Sequence, residues 1–137
     1  VKKVKTWFER STNIEADLLL VANLMENRGT GGALFRKMYK SFLKEAQLLI
    51  EDDALTQAYH MFKDIVINWE NVIELIKKVG LTQSKTFLNE ASTILDKLAE
   101  QEYEAMNLLL KINMSSIHLK MIRIKIFLNM LRLYYSN

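Results

Sequence analysis

Apolar positions recur every three to four residues along most of this chain, the period of a helix that buries one face. Ile14, Leu18, Val21, Ala22 and Met25 fall on one such face, and Leu19, Leu20 and Leu24 widen it. That spacing predicts a central, buried helix over residues 14–26. Thr12-Asn13-Ile14-Glu15 has capping-box spacing at its start. A second helix is predicted over 33–50, with Phe35, Met38, Tyr39, Phe42, Ala46, Leu49 and Ile50 inward. Arg36, Lys37, Lys40, Lys44 and Gln47 fall on its outer side. Glu51, Asp52 and Asp53 interrupt the pattern and suit the start of a third helix, where carboxylates oppose the helix dipole.

The third helix is predicted over 53–79, on the line Leu55, Tyr59, Phe62, Val66, Trp69, Ile73 and Ile76. Lys77 and Lys78 fill its last turn, and Gly80 reads as the residue that ends it. A fourth helix starts near 82–84, with Leu88, Ala91, Leu95, Leu98, Ala105 and Leu109 on one face. Ile117, Met121, Ile124, Leu128 and Leu131 predict a fifth over 115–135, with Ser115 and Ser116 as caps. The strand-like alternation at 122–126 lies inside that longer helical pattern. A short helix over 1–10, anchored by Trp7 and Phe8, completes the expectation. The predicted fold is all-α: an antiparallel bundle of four to five long helices in one domain over 1–137.

Composition supports this picture. Half the 137 residues are hydrophobic, there is no proline, and there are only four glycines. The absence of cysteine excludes disulfides, and no signal peptide is visible, so a reducing, cytoplasmic setting is expected. Net charge is +3, but residues 111–137 hold five basic residues and no acidic one, which leaves the other 110 at −2. This basic end lacks the density of a nucleic-acid arm, and no nucleic-acid motif accompanies it. It is also too interrupted by charge for a membrane span. Neither a nucleic-acid partner nor a membrane span is expected, and no cofactor is expected. The seven methionines read as core filling.

Three of the four glycines fall within residues 29–32, between the first two long helices. A glycine-rich turn that feeds a helix start offers unpaired N–H groups, partial positive charge and room for close approach. Arg28 stands just before the turn and Arg36 one turn into the helix. Arg28, Gly29, Thr30, Gly31, Gly32 and Arg36 are therefore a candidate anion or substrate site. The plain alternative is a tight corner between two helices, which also needs glycine. Nucleotide fingerprints do not fit: the third glycine of a dinucleotide motif would stand at Leu34, and no Lys-Ser/Thr pair follows as in a P-loop.

Other constellations carry less chemistry. Glu102 lies between Leu98 and Ala105 on the apolar side of the fourth helix. Either the stripe drifts there and Glu102 reaches solvent, or it is buried against a partner such as Arg36 or Arg28, since an unpaired buried carboxylate is costly. Lys37, Lys40 and Lys44 form a cationic face that reads as solvated surface. His60 has Asp64 one turn on, and His118 has only Met114 and Ile122 at those offsets, so neither supplies the three or four ligands of a zinc site. No metal and no catalytic triad is assigned.

Arg28-Gly-Thr-Gly-Gly-Ala-Leu-Phe-Arg36, followed by Tyr39, Phe42-Leu43 and Glu45-Ala46, resembles the C-terminal helical domain of the butirosin biosynthesis protein H-like family. Tyr59, Trp69 and the stretch 1–8 are similarly placed; the likeness is good over about 1–80 and absent after 110. The resemblance implies a protein that joins a cysteine-peptidase-like half to this helical half and transfers an acyl group from a carrier-protein thioester to an amine. The chain contains no cysteine and begins at Val1, so the reading is the C-terminal part of a longer two-domain protein whose catalytic half is missing here. On that reading it is an accessory, substrate-binding domain with no catalytic residue of its own, and the resemblance implies an acidic acyl carrier protein as partner on the Lys37, Lys40 and Lys44 face. The second reading is a stand-alone helical interaction module that acts by homo-oligomerisation.

Overall fold

The structure is a computed structural model that describes residues 11–28, 32–112 and 126. The described residues form four helices, α1 (Ile14–Asn27), α2 (Ala33–Gln47), α3 (Asp53–Thr82) and α4 (Lys85–Leu110), with no strand among them. The chain is an all-α helical bundle. The expected helices at 1–10 and 115–135 lie outside the described residues, as do Gly29, Thr30, Gly31, Ser115, Ser116 and His118. Ile126 is described; it is helical and buried in the main core.

The bundle is built around α3. Its 30 residues span about 45 Å, and α1, α2 and α4 each pack against it, α4 most extensively. Direct contact between α1 and α2 is minor. The apolar periodicity of α3 explains the arrangement. Ala58, Phe62, Ile65, Val66, Val72, Ile73, Ile76 and Val79 are all buried and occupy more than one face, as a helix with neighbours on several sides requires. Only Gln83 and Ser84 separate α3 from α4, which forces an antiparallel hairpin.

The ends of the helices carry several corrections. Asn13, not Thr12, caps α1: its Oδ1 accepts from the Ala16 N–H at 3.2 Å, so Glu15 falls one position short of a capping box. Ser11 supports the cap by donating to Asp17 at 2.6 Å and accepting the Asn13 N–H at 3.1 Å. Asp52 caps α3 by accepting the Leu55 N–H at 3.0 Å, within the acidic run that marks that helix start. Gly80 does not end α3. The helix continues to Thr82, and the turn is made by Gln83, left-handed at φ 53°, whose N–H returns to the Val79 carbonyl at 2.8 Å.

In α2 the predicted stripe holds at Tyr39, Phe42, Ala46 and Ile50, which are buried or packed against the core, and fails at Phe35 and Leu49. Ala33, Leu43 and Ala46 are the buried residues, and Phe35 is 47% exposed. Leu49, 53% exposed, lies beyond the helix end at Gln47. Arg36 lies on the inward side, one turn from Ala33 and two from Leu43.

Candidate functional site

Arg28, the last described residue before the turn, is exposed, and its N–H closes α1 on the Leu24 carbonyl at 3.1 Å. Gly32 opens α2 and is buried against α1. A Cβ placed on Gly32 would lie 2.4 Å from the Met25 carbonyl oxygen, 2.7 Å from its Cα and 2.9 Å from its carbonyl carbon. All three are backbone atoms, so no side-chain rotation relieves the clash. Gly32 is therefore the point where the start of α2 rests on the last turns of α1.

One turn on, Arg36 reaches across α3 to α4. Its Nε donates to Glu102 Oε1 at 2.8 Å, and its Nη2 donates to Oε2 at 2.6 Å. This two-bond fork is the strong, geometry-specific form of a carboxylate–guanidinium pair. The guanidinium also lies over the Trp69 ring of α3, with Cζ 4.9 Å from the ring centroid. The Trp69 indole N–H donates to the same Glu102 Oε1 at 2.8 Å. A longer contact of 3.4 Å runs from Arg36 Nη1 to the Gly32 carbonyl. Both charged side chains are about a quarter exposed or less. One ion pair thus ties together α2, α3 and α4 and leans back on the glycine that seats α2 on α1. Beside it, Asn68 donates to Gln101 at 2.9 Å, a second polar link between α3 and α4.

Burial acts to raise the pKa of Glu102. The hydrogen bonds from Arg36 and Trp69, together with the Arg36 charge, outweigh it and hold the carboxyl below its ordinary value. Glu102 is therefore an ionised, fully engaged acceptor at neutral pH, without the raised pKa of a general acid.

Of the candidate residues, Gly32, Arg36 and Glu102 are brought into one connected cluster, and Trp69 joins them. Sequence periodicity marked Trp69 only as part of the apolar stripe, although a largely buried indole N–H needs an acceptor, and Glu102 was the carboxylate on the apolar side of α4. Lys37 is tied to Glu70 of α3 at 2.9 Å. Lys40 is half-exposed and Lys44 exposed on the same helix. His60 is exposed beside the Tyr59 ring, and Asp64 is exposed. Among the described residues no three His, Cys, Asp or Glu side chains stand close enough to hold a metal, and no helix is long and apolar enough to cross a membrane. An open hollow of about 680 Å³ lies at the far end of α2, lined by Gln47, Ile50, Ala54, Thr56 and the acidic run Glu51, Asp52 and Asp53. It is about 20 Å along α2 from Gly32, and Asp52 is already spent as a helix cap.

Residues 1–109 match the model of a family described as Domain of unknown function (DUF4872). The chain belongs to that family. The matched stretch takes in all of α1, α2 and α3, the glycine turn and the Arg36–Trp69–Glu102 cluster, and stops one residue short of the end of α4. Comparison with curated proteins and with solved structures finds no match.

Proposed function

We propose that this chain is an accessory, substrate-binding helical domain of a carrier-thioester acyltransferase of the butirosin H-like type. The nucleophilic cysteine and its base come from a cysteine-peptidase-like half, because the 137 residues include no cysteine. The observation that carries the reading is the division of labour within residues 28–46, the run that bears the resemblance. Its inward residues Gly32, Ala33, Arg36, Leu43 and Ala46 lock α2 to the rest of the bundle. Its outward lysines, Lys40 and Lys44, are left toward solvent. The turn at Arg28–Gly32 is held at Leu24 on one side and at Met25 on the other, which supports a role in presenting it to an acyl donor or acceptor. An acidic acyl carrier protein docks on the Lys37–Lys40–Lys44 face, drawn by charge complementarity.

The test has two arms. Incubated with an acyl-carrier thioester and an amine, the purified chain should form no amide above background; turnover that survives repurification refutes the accessory reading. Titrated with acyl carrier protein at low salt, the chain should bind, and more weakly in high salt or as Lys40→Glu/Lys44→Glu. No binding under any of these conditions refutes the docking face. The other reading, a module that acts by self-association, is favoured by a separate feature of α4.

A further inference from the structure

The core face of α4 is Leu88, Ala91, Leu98 and Ala105, all buried. A second apolar line runs along a different face of the same helix. Tyr103 is 71% exposed, Met106 46% and Leu110 81%, and Ala99 is also exposed. A single exposed leucine needs no explanation. Four residues at 99, 103, 106 and 110 do, because steps of four, three and four make the heptad seam of paired helices.

We infer that this stripe is the seam along which two copies of the chain pair antiparallel through α4. Charge selects both the partner and the direction. Asp96 and Glu100 flank the start of the stripe and Lys111 flanks its end, all three exposed. Asp96, three residues before Ala99, lies on the same 3–4 spacing, so in a parallel pair it would meet Asp96 of the second copy, which is repulsive. In an antiparallel pair that sets Tyr103 against Met106 of the second copy, Ala99 falls opposite Leu110. Lys111 then lies within one helical turn of Asp96 of the second copy. Glu100 faces Asn107, an uncharged residue. Glu104, exposed and one heptad before Lys111, comes beside Glu104 of the second copy on the outer flank, a single repulsive contact against two symmetry-related Asp96–Lys111 pairs, so apolar and charge registers agree on balance in this arrangement. The seam is short, four residues from each copy, and falls below the area of a standard stable interface, so the pairing is weak and concentration-dependent. It does not use Lys40 or Lys44 of α2, so it stands or falls apart from carrier docking.

The test is sedimentation velocity with light scattering on the 137-residue chain, from about 5 µM to about 500 µM. The mass should rise from monomer toward dimer across that range. Tyr103→Glu/Met106→Glu should stay monomeric at every concentration with an unchanged far-ultraviolet circular-dichroism spectrum, since both side chains are exposed. Asp96→Lys and Lys111→Asp should each weaken pairing by roughly tenfold, about the effect of turning two symmetry-related, solvent-exposed attractive pairs repulsive. The two changes together should restore it. A wild-type chain that remains monomeric at the highest concentration overturns the inference, whatever else then covers the stripe. A dimer untouched by the glutamate pair also overturns it. Failure of the double charge change to recover pairing overturns the antiparallel register.

Discussion

Removing Arg36 should cost far more stability than its place on the outer edge of a helical wheel suggests. Arg36→Met keeps the stem over Trp69 and deletes the guanidinium. Two charge-assisted bonds to Glu102 are lost, at 2.8 and 2.6 Å, and the half-buried carboxylate keeps only the Trp69 indole. Stranding one partner of a fully buried pair costs about 3–5 kcal/mol, and the pair's partial exposure discounts this to about 2–3 kcal/mol. Glu102→Gln keeps one oxygen, able to accept from both Trp69 and the Arg36 Nε, but turns an amide NH2 toward the Arg36 Nη2 donor, so it should cost about 1–2 kcal/mol. If the fork is what matters, the two losses will not add, and the double variant should show a coupling of about 1–2 kcal/mol. The same experiment run against pH has a definite sign. The folded-state pKa of Glu102 lies below its ordinary value of 4.5. The pair's stabilisation is thus fully present above that value and is lost as pH falls through the folded-state pKa. Urea unfolding of wild type and variants from pH 7 to about pH 3 measures both effects. Wild type should lose its advantage over Glu102→Gln in the acid limb. Additive losses, or an advantage constant down to the lowest pH, would refute the reasoning.

Other predictions follow from the glycines and from the end of α3. Gly32→Ala must move the α1–α2 contact by about 1 Å to clear the Met25 backbone and should destabilise by about 1–3 kcal/mol, seen as a lowered urea midpoint at unchanged slope. Gly80→Ala should do the opposite. Its Cβ would sit 3.4 Å from the Glu15 carbonyl oxygen and the Leu18 Cβ, ordinary contact. Replacing a glycine in the last turn of the helix should then stabilise by up to about 1 kcal/mol; a lowered melting temperature would show that α1 cannot accept even a methyl group there. Gln83→Gly should raise stability by about 1 kcal/mol by removing the cost of a left-handed non-glycine residue.

Among the described residues the number and type of helices were legible because apolar spacing near 3.6 residues is a backbone property that tertiary contacts rarely override, and no proline interrupts it. Boundaries failed where a local rule met a tertiary demand. Gly80 has the usual signature of a helix stop. Yet α3 continues past it because Val79 and Gly80 are buried against their neighbours, Gly80 facing Glu15 and Leu18 of α1, and Gln83 takes the left-handed turn instead. The first turn of α2 was misread for a related reason, although Tyr39, Phe42 and Ala46 further on do face the core. Counting hydrophobic residues put Phe35 inside and Arg36 outside. What sets the phase is the small pair Gly32-Ala33, which lets α2 settle onto α1, together with a fork that satisfies Arg36 on the inward side. A wheel drawn from hydrophobicity cannot show that a charge has its counterion waiting on another helix, 66 residues away.

The candidate site was legible only by halves for the same reason. Glu102 stood out by its place between Leu98 and Ala105, but on sequence alone solvent was the first claimant to it and a buried Arg36 or Arg28 the second. What separates them is α3: Trp69 supplies both the face under the guanidinium and a second donor to the carboxylate, so the site favours a planar fork over a point charge. That geometry makes one more test available. Arg36→Lys retains the charge but cannot give two parallel bonds to Glu102 or lie flat over the indole. If charge alone held α2 to α4, Arg36→Lys would match wild type. If the fork and the stacking hold it, Arg36→Lys should lose about 1–2 kcal/mol and stand closer to Arg36→Met than to wild type in urea unfolding at neutral pH. The second outcome is the one expected. It would place the cohesion of the bundle in the shape of the Arg36–Trp69–Glu102 cluster as much as in its charge.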